Sequence, residues 1–234
     1  MEILCRLLFG HLLADFTFQT NFIAHWKRKK FSWLLVHVFI HPACYIPLVW
    51  PFLNEVWFSR WGFQWNGWTC IGIATFLHFA EDWFRVTMVN RGWPDNTLFY
   101  TWDQLVHLTV IFILAPLASQ PLLANWALLG CLFVIVTHFA TVTVWFIERD
   151  VYGYDREYPE TGEKYISMAQ RFAAWLFFFL PAPWWYVGPF LVAGFYVWLI
   201  WVKKVDFSWP SIIGGNLITV AAGLLARFWL GYHF

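Results

Sequence analysis

Long apolar runs separated by short polar stretches set the pattern of this chain. A bilayer crossing needs about 20 mostly apolar residues, and windows of that kind fall near 3–24, 31–53, 68–89, 101–118, 123–147 and 208–230. A further run, 171–202, is too long for one ordinary crossing. Pro181 and Pro183 interrupt it, so it reads as two helices, 171–181 and 184–202, joined by a tight turn. The pattern predicts an all-α, polytopic transmembrane bundle of eight spans, or seven if 171–181 is too short, in a single integral domain 1–234. Residues 1–118 form its first four-helix half. Segment 148–170 is the one substantial polar loop; its acids and bases are interspersed, as in a solvated linker with at most a short surface helix.

Charge then gives the orientation. Lys and Arg collect on the cytoplasmic side of membrane proteins, and eight spans with both termini outside put Lys27, Arg28, Lys29, Lys30, Arg85, Arg91, Arg149, Arg156, Lys164, Arg171, Lys203 and Lys204 inside. Arg6, Arg60 and Arg227 remain on the other face. Only 12% of the residues are charged and 60% are hydrophobic, against about 25% charged in soluble domains. The net charge of +1 provides no basic field for nucleic acid. The first basic cluster follows the first apolar run instead of preceding it, which argues against a cleavable leader.

The cysteines, Cys5, Cys44, Cys70 and Cys131, stand singly in different apolar segments and read as small buried hydrophobes. The 19 Trp and 26 Phe exceed what a core needs. They predict aromatic belts at the membrane interfaces, together with rings that face lipid, a pigment or a neighbouring subunit.

Against this apolar background, three His/Asp pairs recur at a spacing of four: His11 with Asp15, His78 with Asp82, and Asp103 with His107. Residues four apart share a helix face, about 6 Å apart along the axis. Gln19 extends the first stripe, His37 and His41 make another on the second span, and Gln104 adjoins Asp103. With alternating helix direction, Asp15, Asp82 and Asp103 all fall on the cytoplasmic side of their histidines. Four helices therefore converge on one layer. Ionisable side chains in hydrocarbon cost a few kcal/mol or more and normally face a bundle interior with a function to perform.

Histidine and carboxylate together are the ligand set of zinc and related divalent ions, with neighbouring carboxylates orienting the imidazoles. Two other readings stay open: interhelical hydrogen-bond glue, at about 1 kcal/mol per bond, and a proton relay along a wet pathway. His138 reads as a core histidine, and His25 and His233 as interfacial. Glu81 lies about 100° around the helix from Asp82, either a second acid or a partner for Arg85.

These residues carry a resemblance. His-x-x-x-Asp-x-x-x-Gln at His11, Asp15 and Gln19, then Lys27, His37, His-x-x-x-Asp at His78 and Asp82, and Asp-Gln-x-x-His at Asp103, Gln104 and His107 resemble a family of bacterial integral membrane proteins, the domain of unknown function 3307. In the second half, "GEKYISMAQR" is similar to the family's Gly-Lys-Tyr-Ile segment before an Arg, with Gln170 where an acid is common, and "SIIGGNLITVAAGLL" to its last span. The resemblance implies packed transmembrane helices in a bacterial inner membrane and no particular reaction. The His/Asp arrangement also looks, more distantly, like inner-membrane metal-dependent hydrolases.

The functional expectation is a site for a divalent metal, zinc before others, with ligands drawn from His11, Asp15, His78, Asp82, Asp103 and His107. His37 or a remaining aspartate, Asp15 or Asp103, would act as general base, with Gln19, Gln104, Lys27 and His41 in support. The expected chemistry is hydrolysis of a lipid-borne ester or phosphoester, with membrane lipids as partners. The alternative is a non-enzymatic accessory subunit of a larger photosynthetic or respiratory membrane complex, with a structural or pigment-contacting role.

Overall fold

The computed structural model describes residues 2–116, 125–154, 157–159, 161–202 and 208–231. Arg156, Lys203, Lys204 and His233, assigned sides or interfaces above, lie outside the described residues. The chain forms two compact units, Met1–Cys131 and Leu132–Phe234.

In the first unit, α1 (Glu2–Leu12) runs into a π-helical turn, Leu13–Phe18, and stops at Gln19, whose backbone N–H reaches the Ala14 carbonyl at 3.1 Å. The expected single span 3–24 is therefore broken. Thr20 caps a separate short helix, α2 (Asn21–Lys27), by accepting from the Ile23 N–H. There follow α3 (Phe31–Val49), α4 (Gly67–Asn90) and α5 (Thr97–Leu114). Asn66 and Asn96 cap α4 and α5 through their side-chain oxygens. Helix α1 packs on α3 and α5, α3 on α4, and α4 on α5, which closes a ring of four helices.

The fold is helical as expected, with one small addition between α3 and α4. There the strands β1 (Val56–Arg60) and β2 (Phe63–Asn66) make an antiparallel hairpin. Its two-residue turn puts Trp61 and Gly62 at φ 54° and 79°, the backbone that matches strand twist. The hairpin is pinned by Phe58 stacked on its cross-strand partner Trp65, ring centroids 4.5 Å apart.

The four-helix ring is layered. At the hairpin end, Leu4, Leu7, Tyr45, Val49, Ile71 and Ile111 belong to an apolar core. The histidines occupy the middle, and ion pairs close the far end. Helix α1 meets α3 closely at Gly10, where an added Cβ would stand 2.8 Å from the Tyr45 ring.

In the second unit, α6 (Asn125–Val134), which begins in the first, passes through a π turn, Ile135–Phe139, into α7 (Ala140–Tyr152). Helices α8 (Thr161–Leu176), α9 (Trp184–Trp201) and α10 (Asn216–Trp229) follow, with another π turn, Ser211–Gly215, leading into α10. Residues 161–170, placed in the expected loop, are helical. Helix α8 packs on α9, α10 and the first π turn. Arg227 donates to the carbonyls of Phe178 and Leu180 and so satisfies backbone acceptors where the α8 segment ends.

Among the described residues five helices are long and apolar enough to cross a membrane: Phe31–Phe52, Thr97–Leu114, Asn125–Tyr152, Trp184–Trp201 and Ser211–Trp229. Helix α9 is apolar nearly throughout yet buries only Gly188 and Tyr196. Trp201 and Phe190 are 79% and 78% exposed. Water penalises such a surface and lipid does not.

Candidate functional site

The ring of α1, α3, α4 and α5 encloses nine ionisable side chains: His11, Asp15, His37, His41, His78, Glu81, Asp82, Asp103 and His107. None is more than 7% exposed. The i, i+4 spacing aims each expected pair into the ring interior.

Asp15 is the hub. Its Oδ1 lies 3.0 Å from His41 Nε2, 3.3 Å from His37 Nε2 and 3.8 Å from His78 Nε2, and its Oδ2 lies 3.5 Å from His11 Nε2. Gln104 bridges two acids, with its amide nitrogen donating to Asp15 Oδ2 at 3.3 Å and to Asp103 Oδ2 at 3.0 Å. Asp82 Oδ2 stands 3.1 Å from His37 Nε2 and 3.6 Å from His78 Nε2, while Lys27 donates to both its oxygens. His107 Nε2 lies 2.8 Å from Glu81 Oε2 and 3.6 Å from Asp103 Oδ1. The imidazoles are in mutual contact: His78 Nε2 is 3.3 Å from His37 Nε2, and the His78 ring centroid is 3.7 Å from that of His41 and 4.0 Å from that of His107.

A salt-bridge layer covers the cluster. Arg85 bridges Asp103 at 3.1 Å and Asp95 at 2.9 Å, and Arg28 joins Asp95 at 2.7 Å. In all, five buried carboxylates, Asp15, Glu81, Asp82, Asp95 and Asp103, face three cations, Lys27, Arg28 and Arg85. Two formal negative charges are left for the imidazoles or a bound cation to balance. Two polar atoms in this interior, Nδ1 of His11 and Nδ1 of His37, have no hydrogen-bond partner among the described residues. Each such buried atom costs roughly 1–3 kcal/mol unless something else pairs with it.

Three subsets can each offer ligand atoms within 4.8 Å of one another: His11, Asp15, His41 and His78; His37, His78 and Asp82; and Glu81, Asp82, Asp103 and His107. A tetrahedral ion with bonds of about 2.0–2.1 Å holds its ligand atoms roughly 3.4 Å apart, inside the range observed around Asp15. The interior opens by a cleft of about 200 Å3 beside His11, Tyr45, His78 and His107, and by another of about 270 Å3 beside Lys27, Arg28, Asp82, Arg85 and Asp95.

The site residues expected from sequence thus meet in one interior, with one exception. Gln19 terminates the π turn, and no hydrogen bond joins its side chain to the cluster among the described residues. The wider turn, with i→i+5 bonding, takes it off the stripe that a regular helix would continue. His25 packs edge-on against Trp26, and His138 lies in the second unit's first π turn beside Thr137. Glu81, weighed above as a second acid or a partner for Arg85, joins the cluster as an acid, and Asp95 joins it without having been expected there. Glu81 is three residues from His78, a spacing that also shares a helix face, so its place was available to sequence reasoning. Asp95 follows Pro94 in a loop, and no periodicity marks it.

A family model described as "Protein of unknown function (DUF3307)" matches residues 3–130. The chain belongs to that family. The matched stretch contains all nine clustered groups and the basic residues that cover them, so what the family description encloses is this polar core and its four-helix frame. No curated protein and no solved structure matches the chain.

Proposed function

We propose that this protein is a multi-pass inner-membrane protein of eight spans, both termini on the non-cytoplasmic side, that holds a divalent metal ion, zinc before others, and hydrolyses a lipid-borne ester or phosphoester. One observation carries the reading. Four imidazole nitrogens lie 3.0–3.8 Å from the two oxygens of Asp15 in an interior where five carboxylates face three lysine and arginine side chains.

His11, His41, His78 and Asp15 form the preferred ligand set, with Asp82, Asp103 and His107 as the neighbouring one. The ion supplies Lewis acidity. His37, 3.3 Å from His78 and 3.1 Å from Asp82, can accept the proton of an attacking water, and the imidazolium so formed is stabilised by the Asp82 carboxylate that Lys27 also contacts. Gln104 fixes the relative position of Asp15 and Asp103. The cationic rim of Lys27, Arg28 and Arg85 favours an anionic headgroup at the cytoplasmic surface. The alternative, pigment contact within a larger complex, calls for imidazoles that face outward, whereas His11, His37 and His41 are fully enclosed.

Metal analysis of protein purified without chelators tests the proposal. The expected content is about one divalent ion per chain, reduced at least tenfold in His78→Ala. A folded wild-type protein that carries no ion, and takes up none on addition of zinc, overturns it. Turnover of a fluorogenic lipid ester by the loaded protein, absent in His37→Ala, tests the reaction separately.

A further inference from the structure

In the second unit a buried cation has no carboxylate within ion-pair distance among the described residues. Arg171 on α8 is 2% exposed. Its Nε donates to the Val136 carbonyl at 2.9 Å, and its Nη2 donates to the Thr137 carbonyl and to the Thr141 hydroxyl. The two carbonyls belong to the π turn Ile135–Phe139, and turns of this kind are frequent at functional sites. These partners satisfy donors but carry no charge. Among the described residues no carboxylate lies within ion-pair distance of Arg171, and its Nη1 has no hydrogen-bond partner. A buried arginine in a bilayer protein ordinarily pairs with something negative.

Arg171 lines a cleft together with Thr141, Glu148, Glu163, Lys164 and Ser167. Ser211, from the other π turn, closes one side, and Tyr196 bridges Ser167 and Ser211 through its hydroxyl. Glu148 accepts a hydrogen bond from Ser208. The cleft therefore presents both signs, and a bare anion would meet two acids as well as two bases.

Its depth is marked by aromatic rings of the kind that settle at headgroup level. Trp145 packs edge-on against Tyr158 at 5.4 Å, Lys164 lies over Tyr158 at 5.3 Å, and Arg149 lies over Trp145 and Tyr154. We propose that this cleft binds a phosphate ester bearing a primary ammonium group, the chemistry of a phosphoethanolamine headgroup. Its phosphate would sit against Arg171 and Lys164, and its ammonium against Glu148 and Glu163. The inference is independent of any ion in the first unit.

Full-length protein equilibrated with mixed vesicles of phosphatidylethanolamine and phosphatidylglycerol tests it, with bound lipid counted by native mass spectrometry. Retained phosphatidylethanolamine should exceed phosphatidylglycerol at least tenfold over the mixing ratio. That preference should fall towards unity in Glu163→Gln, and bound phospholipid should drop at least fivefold in Lys164→Gln. Both residues are half-buried. Arg171→Gln also releases two π-turn carbonyls, so it is read only where circular dichroism reports a folded chain; a folded form that keeps its phosphatidylethanolamine overturns the proposal. Free phosphoethanolamine separates the two sources of the ligand. Displacement of lipid at millimolar concentration supports recognition of the headgroup alone, and retention of lipid supports recognition of the membrane-anchored form. Equal retention of the two lipids by wild type, or unchanged binding in both Lys164→Gln and Glu163→Gln, overturns the inference.

Discussion

At the scale of single residues, the polar core makes unequal demands on its members. Asp15 has only histidines and Gln104 around it, whereas Asp82 is tied to Lys27 at 3.1 Å. Asp15→Asn removes a charge that no lysine or arginine compensates, so the fold should survive while bound metal falls tenfold or more, measured on purified protein. Lys27→Met has the opposite profile. It leaves Asp82 charged and buried, and removal of one partner of a buried pair costs about 3–5 kcal/mol. Denaturant unfolding in detergent should show that loss. The double variant Lys27→Met with Asp82→Asn should recover part of it, because no uncompensated charge then remains. Equal destabilisation by the single and double variants would mean that the pair is not coupled.

At the scale of elements, the site depends on how closely α1 approaches α3. Gly10 sits one residue before His11, and its missing Cβ is occupied by the Tyr45 ring and by Leu48. Gly10→Ala should force the two helices apart and cost about 1–3 kcal/mol through overpacking. Gly72→Ala on α4, where nothing stands within 4 Å, serves as the control and should leave the melting temperature unchanged or slightly raised. The spacing of four in the His/Asp pairs made much of this architecture readable from sequence, since a buried polar stripe on an apolar helix has few places to go. Three features followed other rules. The hairpin strands "VWFSR" and "FQWN" hold only nine residues, and a bulge at Trp57 buries Trp57 and Phe58 in succession instead of alternating, too weak a pattern to stand out beside 20-residue apolar runs. The π turn after His11 has no compositional mark and ends the stripe before Gln19. Glu81, left open between a second acid and a partner for Arg85, reaches the core by an i, i+3 relation to His78 that an i, i+4 spacing does not decide.

At the scale of the whole molecule, the distribution of polarity is inverted relative to a water-soluble protein. Charged and imidazole groups fill the interior of the first unit, while Trp61, Phe228 and Trp201 are 85%, 83% and 79% exposed. Lipid stabilises this arrangement because it has no hydrogen bonds to offer the interior groups and exacts no cavity cost from the exterior rings. The same logic gives a side to each loop. The basic cluster at Lys29 and Lys30 and the hairpin tip near Gln64 lie at opposite ends of α3, so a membrane-crossing α3 puts them on opposite faces. The proposed orientation, drawn from the excess of Lys and Arg, would put the first in the cytoplasm. Single substitutions Lys29→Cys and Gln64→Cys, probed in intact cells with a membrane-impermeant thiol reagent, should label only at Gln64, above the background of the native cysteines. Lys29→Cys should react only after the membrane is permeabilised. Labelling of both positions in intact cells would place both ends of α3 on one face, and the His/Asp core could not then lie at the depth from which a lipid headgroup would reach it.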